Sequence, residues 1–276
     1  MDLESIKTFL ILSKTLNYTR TADILFVSQS TVSSRISELE KELDLKLFER
    51  TNRNVELTDK GRIFAEYAQK MTELTSASLQ HLSSMSKYED DLRIGCTNTI
   101  YECHLGKELK KQLIEHPERA LSVTIGLSAD LNKKLIQGLL DEVYSFIPIN
   151  KAKFNCEVYK QDDMVLVTDY NNRKYTKGIT RKELTNENYI MCDFALREAG
   201  EFIRNIFPPY HRFPLEIDDC LKVIPFLLDT DLMTFLPMEL ARPLISEKKL
   251  RKIKLLDIEL PKINSYRIRS RKLSKD

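Results

Sequence analysis

The first sixty residues carry their apolar side chains in short helical stripes. Leu3, Ile6, Phe9 and Leu10, with Ser13, recur at three- and four-residue steps and predict a first amphipathic helix. A second opens near Thr19 and turns Ala22 and Leu25 inward. Phe26 and Val27 then form a tight turn, and Ser28 can N-cap a third helix running to about Glu42. Residues 47–50, 51–54 and 55–57 read as strand, polar turn and strand. From Thr58 to about Lys87 there is no proline, and Gly61 is the only glycine. Ile63, Phe64, Tyr67, Ala68, Met71, Leu74, Leu79 and Leu82 keep the helical step throughout. Such a helix either packs on its own domain or, as its length and Ser-rich second half favour, pairs with a copy of itself.

Beyond residue 91 the pattern changes to short apolar runs alternating with amphipathic stretches. Strands are expected at 92–96, 121–127, 143–149, 164–168, 189–192, 232–236 and 252–256. Helices are expected at 103–115, 131–140, 199–207 and 219–228. This alternation predicts an α/β domain with mostly parallel sheets.

The third helix has an unusual polar face. At about 100° per residue, Val32, Ile36, Leu39 and Leu43 fall on one side. Ser30, Ser34 and Ser37, flanked by Thr31 and Ser33, fall on the other, with Gln29 and Arg35 at its edges. Short hydroxyl residues are weak helix formers, so a face built of them sacrifices stability. It suits a helix lying close to a surface of phosphates and base edges. Glu38, Glu40, Glu42 and Asp44 gather at the far end, where a recognition helix leaves the major groove.

Residues 9–61 resemble the N-terminal region of LysR-type transcriptional regulators. The likeness is strongest through Asn17-Tyr18-Thr19-Arg20-Thr21-Ala22, Val27-Ser28-Gln29-Ser30, Leu39-Glu40, Leu47-Phe48-Glu49-Arg50, Leu57-Thr58 and Gly61. The resemblance implies an α/β protein. It has a winged helix-turn-helix at 1–58, a long linker (dimerisation) helix at 59–88, and a periplasmic-binding-protein-like effector domain at 89–276. Two α/β subdomains make up the last, at about 91–160 with 237–276, and about 161–236; 232–237 resembles the return crossover. Gln29, Ser30, Thr31 and Ser33 match groove-facing positions, Thr19 and Arg50 backbone-contacting ones, and Arg53 the tip of the wing. Where the family often has Arg, this chain has Ser34, with Arg35 one position on, so base preferences do not carry over. Double-stranded DNA, a small effector, a second copy (homodimer, possibly a dimer of dimers) and RNA polymerase are the implied partners.

The effector contacts expected from the residues are Thr97, Asn98 and Thr99, which follow the first strand and precede a helix, with Ser128 in the analogous place opposite. Hydroxyl and amide groups beside free helix N–H groups suit an anion, and the same residues serve equally as ordinary helix caps. Arg197 stands where many relatives have a Ser/Thr-rich turn and could add a charge.

Composition adds limits. The 276 residues, 42% hydrophobic and 30% charged, allow roughly two ordinary domains. A net charge of +2 does not announce a nucleic-acid binder, so the DNA reading rests on placement. No apolar run approaches membrane-spanning length, which predicts a cytoplasmic protein without membrane contact. Cys96, Cys103, Cys156, Cys192 and Cys220 lack C-x-x-C spacing, and His81, His104, His116 and His211 are scattered, so no metal or cofactor is expected. The alternatives are a thiol-based redox-sensing member of the same family and an α/β enzyme with an accessory helical module. For the enzyme no nucleophile–base motif is visible.

Overall fold

The computed structural model describes residues 1–50, 55–84, 88, 90–192 and 198–271, in two compact units, Met1–Ser86 and Lys87–Asp276. In the first, α1 (Leu3–Thr15), α2 (Tyr18–Leu25) and α3 (Gln29–Leu43) precede a hairpin of β1 (Phe48–Arg50) and β2 (Val55–Leu57), and α4 (Asp59–Ser84) follows. Each of the first three helices begins at a polar cap: Asp2 accepts from Ser5 N at 2.9 Å, Asn17 from Arg20 N at 3.0 Å, and Ser28 from Thr31 N at 3.1 Å. Each ends at a left-handed residue, Leu16, Phe26 or Asp44. Phe9, Leu12, Val32, Ile36, Leu39, Leu47 and Ala68 are almost wholly buried around the junction. Phe9 sits 5.4 Å from the Phe48 ring and 4.9 Å from Phe64, so α1, the hairpin and α4 share one core.

Two contacts fix the hairpin. Glu40, buried on α3, accepts the Leu47 and Phe48 N–H groups at 2.8 and 3.1 Å and pairs with Lys46 at 2.6 Å. Burial alone would raise its pKa, but these three donors outweigh it and hold the carboxyl below its ordinary value. Gly61, in the first turn of α4, presses so closely on Leu47 that a Cβ there would lie 2.2 Å from the Leu47 carbonyl oxygen. Glu40→Ala strands two buried N–H groups and is expected to cost about 1–3 kcal/mol. Amide exchange at Leu47 and Phe48 should speed up accordingly. Because the folded pKa is lowered, this stabilisation is complete above the ordinary value of 4.5 and is lost as pH falls through the folded value. Exchange unchanged in the variant would refute the anchor.

The second unit contains two sheets. The first has the order β4-β3-β5-β10-β6, comprising β3 (Asp90–Cys96), β4 (Arg119–Ile125), β5 (Glu142–Ser145), β6 (Phe154–Asp162) and β10 (Ile263–Ser270). Here β3 is parallel to β4 and β5, whereas β10 is antiparallel to β5 and β6. The second sheet, β8-β7-β9, comprises β7 (Met164–Asp169), β8 (Met233–Pro237) and β9 (Leu250–Ile253) and is antiparallel. Single parallel bridges widen it at Ile179–Leu255, Tyr189–Met233 and Met191–Glu216. The helices are α5 (Asn98–Ile100), α6 (Gly106–Glu115), α7 (Ser128–Ile136), α8 (Arg181–Leu184), α9 (Glu198–Arg204), α10 (Cys220–Leu227) and α11 (Met238–Ser246). A π turn, Tyr101–Leu105, joins α5 to α6.

Three expectations change. The sheets are less parallel than the alternation suggested, because each incorporates a returning antiparallel strand. Residues 232–237 are not the return crossover: β8 pairs with β7 from Met164–Pro237 to Thr168–Met233 and so is a strand of the second sheet. The chain re-enters the first sheet only at Ile263. Residues 237–253, with α11 and β9, therefore belong with the second subdomain, which runs from about 164 to 253.

Candidate functional site

The structure divides α3 as its sequence does. Val32, Ile36 and Leu39 are buried, while Gln29, Ser30, Ser34 and Ser37 are exposed and Thr31 and Ser33 are half-buried. The Ser28 hydroxyl lies 2.7 Å from that of Ser30 and 2.8 Å from that of Thr31, a cluster at the helix start beside its free N–H groups. Thr19, on the first turn of α2, donates to Gln29 Oε1 at 3.5 Å, bringing a backbone-contact candidate against a base-contact candidate. Farther along, Ser34 donates to Glu38 at 2.8 Å.

Arg35 does not join them. Its guanidinium turns back onto α1, donating to Thr8 Oγ1 at 3.2 Å and lying 3.6 Å from a Glu4 carboxylate oxygen. One step round the helix moved it from the exposed edge toward a buried hydroxyl and an anion. Arg53 and Arg197, with the side chain of Arg50, lie outside the described residues. The sequence reading missed Phe26, whose ring is 95% exposed at φ 54° in the turn just before α3. A bulky residue at a left-handed helix end, where glycine or asparagine is usual, was the available signal.

The linker helix has two faces. Phe64, Ala65 and Ala68 pack into the N-terminal core. Ile63, Tyr67, Leu74, Leu79 and Leu82 each keep more than half of their surface exposed, and Met71 is 38% exposed.

In the second unit, Thr97, Asn98, Thr99 and Ser128 line one cleft of about 180 Å³. Thr97 caps α5 by accepting Ile100 N–H at 3.4 Å, and Ser128 accepts Phe146 N–H at 3.2 Å. Thr99 lines the same cleft although only 3% of its surface is exposed. The π turn that follows is a common device near functional sites. Asp218 and Asp219, which the sequence reading did not single out, line the same cleft. Asp219 accepts Asn98 Nδ2–H at 2.8 Å and caps α10 through Leu221 N–H at 2.8 Å. With Asp218 exposed at that wall, a bare anion would face carboxylates, so the cleft is bipolar and not the anion cradle expected.

Four of the five thiols are buried, and Cys156 is half-buried. Burial pushes Cys96 far above the ordinary thiol range and Cys103 up to about 12, which suppresses the reactive thiolate. Cys192 and Cys220 are also buried, with their sulfurs 3.5 Å apart.

A family model for bacterial regulatory helix-turn-helix proteins of the lysR family matches residues 3–62. A model for the LysR substrate binding domain matches residues 87–274. The HTH-type transcriptional regulator CitR of Bacillus subtilis (strain 168) is 27% identical over 277 residues, covering 97% of this chain and 93% of CitR. IlvY of Escherichia coli (strain K12), an HTH-type transcriptional regulator, is 36% identical over 143 residues, 51% of this chain and 48% of IlvY. Among solved structures, that of CbnR, a LysR family transcriptional regulator, aligns with a TM-score of 0.77 at 19% identity, covering 99% of this chain and 94% of CbnR. Full-length CbnR complexed with its target DNA gives 0.76 at 20% identity over the same shares. At such identities the likeness is one of fold.

Proposed function

Because this chain belongs to the lysR family of bacterial regulatory helix-turn-helix proteins, and is a DNA-binding transcriptional regulator with a substrate-binding domain, we propose that it reads operator DNA through the exposed face of α3 and answers to a small polar effector held at Thr99. Gln29, Ser30, Thr31 and Ser33 face the groove, Thr19 steadies Gln29, and Arg50 and Arg53 contact the backbone. It acts in the cytoplasm as a homodimer or dimer of dimers and engages RNA polymerase at its promoters. No helix among the described residues is long and apolar enough to cross a membrane.

The observation that carries the effector half is the convergence of Thr97, Asn98, Thr99 and Ser128 with Asp218 and Asp219 on one cleft. The ligand accepts or donates at Thr99 and Ser128 and presents a donor to Asp218. This replaces a purely anionic effector with one carrying both kinds of group. Its binding shifts DNA affinity only as far as it prefers one cleft geometry, and a tenfold preference is about 1.4 kcal/mol.

Thr99→Val keeps the side-chain shape and removes only the hydroxyl. Fluorescence anisotropy on operator DNA, titrated with amino acids and central carboxylates, should show a ligand response in the wild type. The variant should lose it while its basal DNA affinity stays within about twofold. An undiminished response in Thr99→Val would refute the assignment. A second reading, thiol sensing, has the Cys192–Cys220 approach in its favour. A response that a thiol oxidant triggers without any metabolite would establish it instead.

A further inference from the structure

A second hollow in the second unit lies away from the effector cleft and shares no residue with it. It measures about 820 Å³, within the range of small-molecule sites, and is bounded by α8, the end of α9 and the loop after it. One wall is cationic. The Arg181 guanidinium donates to the carbonyls of Ile206 and Asn205 at 2.9 and 2.5 Å, so its charge rests on neutral partners. Lys182 has no carboxylate partner among the described residues. The carboxylate in the lining, Asp257, accepts the backbone N–H of Arg181 at 2.7 Å. The other wall is aromatic. Phe207, His211 and Phe213 form a triangle with centroids 4.8 to 5.0 Å apart, and the Tyr210 ring stands fully exposed at its edge. The His211 ring nitrogens have no protein partner among the described residues, although two phenylalanine rings hold the imidazole in place.

We propose that this hollow is a second ligand site, selective for a small aromatic anion. The exposed Tyr210 ring and the half-buried Phe213 ring stack on its planar body, with Phe207 buried behind them, while Lys182, Arg181 and an N–H of His211 receive its charge. Neither wall suffices alone. A cation in water gains little from a small aliphatic acid, because solvent screens the pair. A neutral ring would leave both cations and the imidazole unanswered.

The proposal does not depend on the effector assignment at Thr99, and the probes separate the two. Benzoate, acetate, benzamide and inorganic phosphate are titrated into the full chain by ligand-observed NMR. Benzoate should bind saturably and at least tenfold more tightly than the other three. Lys182→Glu, an exposed change that leaves the packing alone, should weaken benzoate at least tenfold. His211→Ala should do likewise, and Thr99→Val should leave it unchanged. No saturable benzoate binding, parity with acetate or benzamide, indifference to Lys182→Glu, or loss in Thr99→Val would each overturn the site.

Discussion

Replacing Met71 and Leu74 together by aspartate is expected to turn the protein into a monomer and to weaken its binding to a two-half-site operator by roughly 10²–10⁴-fold. That range is the avidity gained when two modest contacts are physically joined. The expectation follows from the two faces of α4. Its inner face is already used, with Phe64 and Ala68 in the N-terminal core. Tyr67, Met71, Leu74 and Leu82 form a second stripe, still exposed, at the three- and four-residue steps of a helix-pairing seam. Aspartate at two of these positions would bury charges in the interface but meets water in the monomer, so the single chain keeps its fold. Analytical ultracentrifugation and circular dichroism read the two effects separately. A folded variant that still sediments as a dimer would exclude α4 as the seam.

Gln29→Ala is expected to cost about 1–3 kcal/mol on the cognate operator, with relaxed preference at one base pair in each half-site. Gln29 is exposed on the first turn of α3, where its amide oxygen accepts from the Thr19 hydroxyl at 3.5 Å. Two neighbours supply contrasts. Phe26→Ala should weaken all sequences alike, since a ring at the turn can press on sugars or methyl groups but offers no hydrogen-bond code. Arg35→Ala should loosen the packing of α3 on α1, through Thr8 and Glu4, without changing base preference. Selection from a randomised operator library distinguishes the three. Unaltered affinity and preference in Gln29→Ala would remove it from the reading surface.

The N-terminal unit was largely legible because its rules are local. Caps, three- and four-residue steps and the serine face all lie within one helix, and each has a recognisable spelling. What escaped depends on contacts distant in sequence. Strands β6 and β10 are mostly polar in composition, and the strand signal sought was apolar runs. They are stable because they pair with each other, and because Arg267 grips buried Glu142 across β5. Helix α11 was hidden by Pro243, which helical reading treats as a stop. Asp219 stood out only as the first residue of an expected helix, and Asp218 not at all, until the fold brought both across from Asn98, more than a hundred residues earlier. Arg35 shows the limit of a helical wheel, which gives a direction for each side chain but not the partner that bends it away.

The seat of Gly61 against Leu47 has a mechanical meaning. Thr58 donates from its backbone to the Leu47 carbonyl and from its hydroxyl to that of Lys46, while Glu40 accepts the N–H groups of Leu47 and Phe48 and pairs with the Lys46 ammonium. The root of the wing and the first turn of the linker helix thus form a splined joint with no room for slip. A turn of the first residues of α4 would therefore carry the root of the hairpin with it. In a homodimer paired through α4, the angle between the two linker helices would then set the reach between the two wings.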